Sequence, residues 1–184
     1  MAHRDWTYPD VDKEGFIPFE LLKQQTRDMS LEQFLQEFPV PALLVVYREP
    51  EAGHETLDPT NRGVQLLTVS IKSTSILRYL GKIAFVTKRP GNLFGHLISV
   101  GRSGNNDITI AVDSVSKVHG YFVADGDQWA FTDHGSTNGS FLDDEALASG
   151  QKEPLKPGSL LRLGLEVTLE FLRPVDLYRK VHQD

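Results

Sequence analysis

A mainly β fold, an antiparallel β-sandwich with a small α/β N-terminal extension and a short C-terminal helix, is predicted by two features of the sequence. From residue 81 onward, short runs of strand character recur at close intervals. The spacers between them are turn chemistry: Arg89-Pro90-Gly91-Asn92, Ser103-Gly104-Asn105-Asn106, Ala124-Asp125-Gly126-Asp127 and Lys156-Pro157-Gly158-Ser159. Alternation is the second feature. Trp129 and Phe131 alternate with Ala130 and Thr132, and Tyr121 and Val123 fall on one face with His119, as a half-buried sheet requires.

Residues 1–80 are expected to form the extension. Its first 28 residues are polar apart from one apolar knot, Phe16-Ile17-Pro18-Phe19 followed by Leu21-Leu22. Ser30 then opens a helix over about 30–38: its hydroxyl can cap the Gln33 amide, Gln33 can reach back, and Met29 can pack on Phe34. Pro39 ends that helix. Residues 42–47 and 64–71 are valine- and leucine-rich strands that suggest a hairpin, joined by a polar loop holding Gly53, Pro59 and Gly63. Ser73 to Leu80 has room for one or two helical turns before Gly81.

The sandwich is expected over 81–174, with strands at 83–88, 97–102, 108–112, 119–124, 128–132, 140–142, 160–163 and 167–172. Pro174 closes the sheet region. Residues 175–184 carry Val175, Leu177, Tyr178 and Val181 at helical spacing, which predicts a short terminal helix.

Composition excludes several function classes. At 184 residues and 40% hydrophobic, the chain can bury one good core. It has no cysteine, which rules out disulfides and thiolate metal sites and suits a reducing, cytoplasmic setting. A net charge of -6 opposes broad nucleic-acid binding, and no apolar run is long enough to span a membrane. His3, His54, His96, His134 and His182 show no metal-ligand spacing. No nucleotide loop is present, and Ser116 and His119, three apart where a turn enters a strand, are poorly placed to act with Asp133 as a hydrolase triad. Neither an enzyme nor a cofactor is expected.

The chemistry concentrates between Gly101 and Phe141. A lone arginine follows a glycine, a Ser-Lys-x-His comes next, and a Gly-Ser-Thr-Asn-Gly turn closes the stretch, each at a predicted strand end. Singly these are ordinary: Arg102 is a surface charge, Ser116 a turn residue, Asn138-Gly139 a hairpin signal. Brought together by a sheet, they converge a guanidinium, an ammonium and several hydroxyl and amide donors. Such a set suits a phosphate dianion.

Residues 81–173 resemble a forkhead-associated (FHA) domain, a phosphothreonine-peptide-binding β-sandwich of the FHA/SMAD-like kind. The resemblance rests on ordered motifs: Gly101-Arg102, Asn106-Asp107-Ile108, Ser116-Lys117-Val118-His119, and Asp133 through Gly139. Ser140 stands where the family usually has threonine. The resemblance implies that Arg102 and Ser116 bind the phosphate, Lys117 assists, Thr137 lies beside the threonine methyl and Asn138 bonds the peptide main chain. Gly101, His119, Ser136 and Gly139 would be framework. It further implies a partner protein carrying phosphothreonine, made by a Ser/Thr kinase. Two alternatives stand beside it: a phosphate-independent scaffold, and capture of the chain's own phosphorylated tail, since Thr7-Tyr8-Pro9-Asp10 sets an acid three after a threonine.

Overall fold

The computed structural model describes residues 8, 10–48, 74–92 and 95–183. The expected strand at 64–71, together with Thr7, His3 and His54, lies outside the described residues. Near the start, the Asp12 carboxylate accepts the amides of Glu14 and Phe16 at 2.9 and 3.0 Å, turning the chain into β1 (Phe16–Pro18). Helix α1 (Phe19–Thr26) follows directly. Helix α2 (Leu31–Glu37) begins as its sequence predicts: Ser30 Oγ accepts the Gln33 amide at 3.3 Å, and the Gln33 side chain accepts the Ser30 amide at 2.9 Å. Strand β2 (Ala42–Val46), the single-turn α3 (Thr74–Leu77) and β3 (Lys82–Phe85) complete this part.

The remaining strands are β4 (Ile98–Gly101), β5 (Ile108–Thr109), β6 (Gly120–Asp125), β7 (Gln128–Asp133), β8 (Ser140–Leu142), β9 (Glu145–Ala146), β10 (Lys152–Leu155), β11 (Leu160–Leu163) and β12 (Val167–Leu172), before α4 (Pro174–Val181). Two of them escape sequence reading. β9 has only two residues, and β10 carries Pro154, which suits its place at a sheet edge but hides it as a strand.

Two sheets face each other, one ordered β1-β3-β2-β12-β11-β8-β9 and the other β10-β7-β6-β4-β5. Pairing is antiparallel except between β4 and β5, where Val100 and Gly101 run parallel to Ile108 and Thr109. Strand β2, expected beside 64–71, sits within the seven-stranded sheet. It pairs with β12 along Ala42–Val46 and with β3 along Ala42–Leu44. Its unbroken apolar run reflects burial on both faces.

The main core lies between the sheets, where Phe122 and Phe131 pair across β6 and β7 with ring centroids 5.1 Å apart beside Leu43, Val100 and Leu161. A second core fills the outer face of the larger sheet. There Phe34 of α2 and Leu177 and Val181 of α4 cover Leu44, Ile83 and Phe85. The result is three layers; of the loops that carry the polar motifs, those after β4 and before β6 lie within the five-stranded sheet, and the one after β7 crosses to β8 of the other sheet.

One expectation from alternation fails. His119 is fully buried, whereas Tyr121 and Val123 are half-exposed. The ladder of β6 starts at Gly120, so the period of two does not extend back to the histidine.

Candidate anion-binding site

Three loops converge at the ends of β4, β6 and β7. Arg102 leaves β4 with its amide donating to the Ser116 carbonyl at 2.8 Å and its Nε to the Val115 carbonyl at 3.2 Å. These two bonds hold Val115 and Ser116 against the arginine, and β5 ends at Thr109, short of the strand expected at 108–112. The Ser103 amide donates to the Lys117 carbonyl at 3.1 Å, and Asn106 Nδ2 donates to the carbonyls of Ser103 and Lys117, both at 2.7 Å. Gly101 sits under this crossing: a Cβ there would lie 2.5 Å from the Lys117 oxygen, so only glycine fits.

The third loop meets the second through Ser116. Its hydroxyl accepts the Thr137 amide at 2.9 Å and lies 3.4 Å from Thr137 Oγ1. Asn138 Nδ2 donates to the Ser114 carbonyl at 2.9 Å, leaving its Oδ1 and second amide hydrogen free of partners among the described residues. Arg102, Lys117 and Thr137 are exposed, Ser116 and Asn138 half-buried. Among the described residues no ion pair involves Arg102 or Lys117.

Beneath these donors lies a buried layer. His119 Nδ1 accepts the Ser116 amide at 3.1 Å, which places the ring proton on Nε2, 3.2 Å from both the Gly139 carbonyl and Ser140 Oγ. Burial pushes the His119 pKa down, against the pull of Asp133 and the Gly139 contact. The ring is therefore neutral, and its 3.8 Å approach to the Asp133 carboxylate is not an ion pair. Asp133 accepts the Ser136 amide at 2.9 Å and the hydroxyls of Ser136 and Ser140 at 2.6 and 2.5 Å. Burial alone would raise its pKa; those three bonds outweigh it and hold the carboxyl below its ordinary value. Gly139, at φ +73°, turns the chain between Asn138 and Ser140.

This geometry removes the triad that Ser116, His119 and Asp133 suggest by residue type. His119 meets the Ser116 amide and not its hydroxyl, so nothing is arranged to take a proton from Oγ. Among the described residues no cluster of histidine and carboxylate side chains could hold a metal, and no helix is long and apolar enough to cross a membrane.

Two supporting residues were not singled out by sequence. Asp107 is buried and accepts from the Ser99 amide (2.8 Å), Ser99 Oγ (3.1 Å), the Arg89 amide (2.8 Å) and Lys88 Nζ (3.0 Å), anchoring the base of the 103–106 loop. Gly164 packs on Ser114, where a Cβ would fall 2.2 Å from the carbonyl oxygen that also receives Asn138. Asp107 belongs to a noticed motif, but its partners are distant in sequence. Nothing in the sequence around Gly164 marks a contact fifty residues away.

Residues 98–164 match the family model of the FHA domain. No curated protein matches the chain. Among solved structures, the FHA domain of an Arabidopsis thaliana hypothetical protein is 20% identical, with a TM-score of 0.46 over 73% of this chain and 85% of that one. An engineered FHA with a Myc-pTBD peptide is 12% identical, with a TM-score of 0.46 over 77% of this chain and 97% of that one. A structure from work on phosphothreonine-dependent FHA domain interactions is 16% identical, with a TM-score of 0.44 over 72% and 95%. At these identities and TM-scores the assignment rests on the family model and on the geometry above.

Proposed function

Because residues 98–164 belong to the FHA domain family, we propose that this chain is a phosphothreonine-dependent protein interaction module that reads the products of a Ser/Thr kinase by binding and catalyses no reaction. The observation that supports this reading is that the loops bearing Arg102, Ser116 and Lys117, and Thr137 are tied together, the Arg102 amide on the Ser116 carbonyl and the Thr137 amide on the Ser116 hydroxyl, while neither Arg102 nor Lys117 is ion-paired among the described residues. In an acidic chain, cations left beside unspent donors favour an anion that comes from outside.

The roles follow from chemistry. A phosphothreonine carries close to two negative charges and three acceptor oxygens. The terminal nitrogens of Arg102 supply the charge-assisted fork, the Ser116 hydroxyl a short donor and Lys117 a mobile ammonium. Thr137 offers a methyl-sized contact beside the phosphate, which distinguishes threonine from serine. Asn138 retains one acceptor and one donor for the main chain of an extended peptide, its other hydrogen being fixed on Ser114. Because the loops are tied to one another before any ligand arrives, little ordering cost falls on binding.

The test is a degenerate phosphothreonine peptide library run beside matched phosphoserine and unphosphorylated peptides, with Arg102→Ala and Ser116→Ala as controls. Threonine-phosphate-selective binding that both variants weaken is the expected result. Partner binding that is indifferent to phosphate and unchanged in Arg102→Ala would replace this reading with that of a phosphate-independent scaffold.

A further inference from the structure

Tyr79 is fully buried in the main core, with its ring edge-on to Phe16 at a centroid distance of 5.1 Å. A phenol in such a position needs partners for its hydroxyl. Two donors from separate parts of the chain meet it: the Ala111 amide at 2.8 Å and Arg78 Nη2 at 2.7 Å. The same Nη2 reaches Glu14 Oε1 at 3.1 Å, so a carboxylate fixes the guanidinium in turn. Burial, with Glu14 adding to it, raises the Tyr79 pKa and keeps the group a neutral phenol. Glu14, Arg78 and Tyr79 all precede residues 98–164, which match the family model.

Ala111 opens the loop that carries Ser116. Strand β5 has ended at Thr109, and the Ile110 amide makes a last bond to the Gly101 carbonyl at 2.9 Å. The next amide, that of Ala111, turns to Tyr79 instead. Within the loop the Val115 amide donates to the Val112 carbonyl at 3.0 Å. Val115 and Ser116 then receive Arg102, the first through the arginine's Nε at 3.2 Å and the second through its amide at 2.8 Å. An unbroken path of covalent and hydrogen bonds therefore leads from the Tyr79 hydroxyl through Ala111, Val112 and Val115 to the Arg102 side chain. Its last link bears on recognition. A guanidinium is planar and rigid, so fixing Nε fixes the direction in which the two terminal nitrogens point.

We infer that Tyr79 is a positioning residue for the proposed phosphate site: its hydroxyl, held by Arg78 and Glu14, sets the 111–116 loop and, through Val115, the plane of the Arg102 guanidinium. The inference rests on the phosphothreonine reading for what that plane meets. It gives the N-terminal extension a task at the site, since the support of the Ser116 loop comes from residues that lie before the sandwich.

The experiment compares the full wild-type chain with two variants that each lose one buried hydroxyl. Tyr79→Phe keeps the ring on Phe16 and removes only the oxygen. Thr26→Val is the matched control: Thr26 is fully buried, and its hydroxyl donates to the Leu22 carbonyl at 2.8 Å inside α1, a helix that packs on β1 and α4. Both variants are expected to lower the thermal midpoint by about 2–6 °C. In fluorescence anisotropy at about 20 °C, where both are folded, only Tyr79→Phe should weaken a labelled phosphothreonine peptide, by about three- to tenfold. Only Tyr79→Phe should speed hydrogen exchange at the Ala111 amide, by about tenfold or more, and at the Arg102 Nε–H. Wild-type affinity in Tyr79→Phe, or a loss that Thr26→Val shares, overturns the inference and leaves Tyr79 as core packing. Unchanged exchange at Arg102 Nε overturns it as well. If Tyr79→Phe does not fold, Glu14→Gln is compared with Thr26→Val in its place, with about a twofold loss of affinity expected and no loss overturning the inference. Failure of wild type to bind any phosphopeptide removes the phosphothreonine reading by itself, and exchange at Arg102 Nε in Tyr79→Phe then decides the positioning role.

Discussion

Two polar layers lie at the same end of the sandwich, and they are used in opposite ways. The inner layer, Asn106, Asp107, His119, Asp133 and Ser140, is buried and directs its hydrogen bonds inward. In the outer layer, Arg102, Lys117 and Thr137 are exposed, and neither cation is paired among the described residues. A buried polar group left without partners costs about 1–3 kcal/mol, and the inner layer meets that demand internally except at Asn106 Oδ1, which is buried without a partner. An exposed cation is solvated and costs little when unpaired. The contrast assigns folding to the inner layer and, on the reading proposed above, recognition to the outer one, though their members alternate along the chain: Arg102 then Asn106, Lys117 then His119, Asp133 then Thr137.

The sharpest way to break this division is His119→Ala. Removal strands the Ser116 amide, the Gly139 carbonyl and a bond to Ser140, and leaves a cavity in a fully buried position. Unfolding free energy should fall by roughly 3–5 kcal/mol, read from urea denaturation. A loss under about 1 kcal/mol would show that the inner layer is not a structural unit.

Arg102→Ala is the counterpart on the outer layer. Phosphopeptide affinity should fall about 100-fold or more, because the fork of charge-assisted bonds to phosphate is lost. The thermal midpoint should stay within about 2 °C of wild type, since the residue's backbone amide still bonds Ser116. A large drop in that midpoint would place Arg102 in the structural layer instead.

Acid offers a smaller perturbation that acts on the inner layer alone. The folded His119 pKa lies below its ordinary 6.5, so the unfolded chain binds the proton first. Its contribution is full above that value and is lost as pH falls below it. Asp133, held below 3.8, works in the same direction at lower pH: its contribution is present above 3.8 and is lost as pH drops toward the folded value. The urea midpoint should therefore decline as pH is lowered from about 7.5 to about 5, with the carboxylate step following under stronger acid. A flat profile over the first interval would contradict a neutral, buried ring.

These layers differ in how far sequence exposes them. Strands β4, β6, β7, β8, β11 and β12 were legible because alternation and turn residues are local signals, and the Ser30 cap was legible for the same reason. The outer side chains stand in ordered motifs, and the structure brings the loops that carry them together. What sequence concealed is long-range. His119 is buried because its ring reaches Gly139 and Ser140, twenty residues on, and strand periodicity does not report that. β2 lies between β3 and β12 because of pairings that span up to 130 residues, whereas local pattern favoured a hairpin with a neighbour. Gly164 matters only because Ser114 arrives against it.

Ser116 joins the two layers, and its replacement by alanine gives the finest test of their separation. Its amide belongs to the inner layer through His119 Nδ1, and alanine retains that bond. Its hydroxyl belongs to the outer layer, where it accepts the Thr137 amide at 2.9 Å. Stability should therefore drop by only about 0.5–1.5 kcal/mol, the worth of one partly exposed hydrogen bond. Phosphopeptide affinity should fall about tenfold, through the lost phosphate donor and the slackened Thr137 turn together. Ser116→Thr separates those two causes, because it keeps the hydroxyl and adds one methyl at a half-buried position. Recovery of both affinity and stability would assign the whole effect to the hydroxyl. Recovery of stability alone would show that the phosphate reads the position of that oxygen more strictly than the fold does.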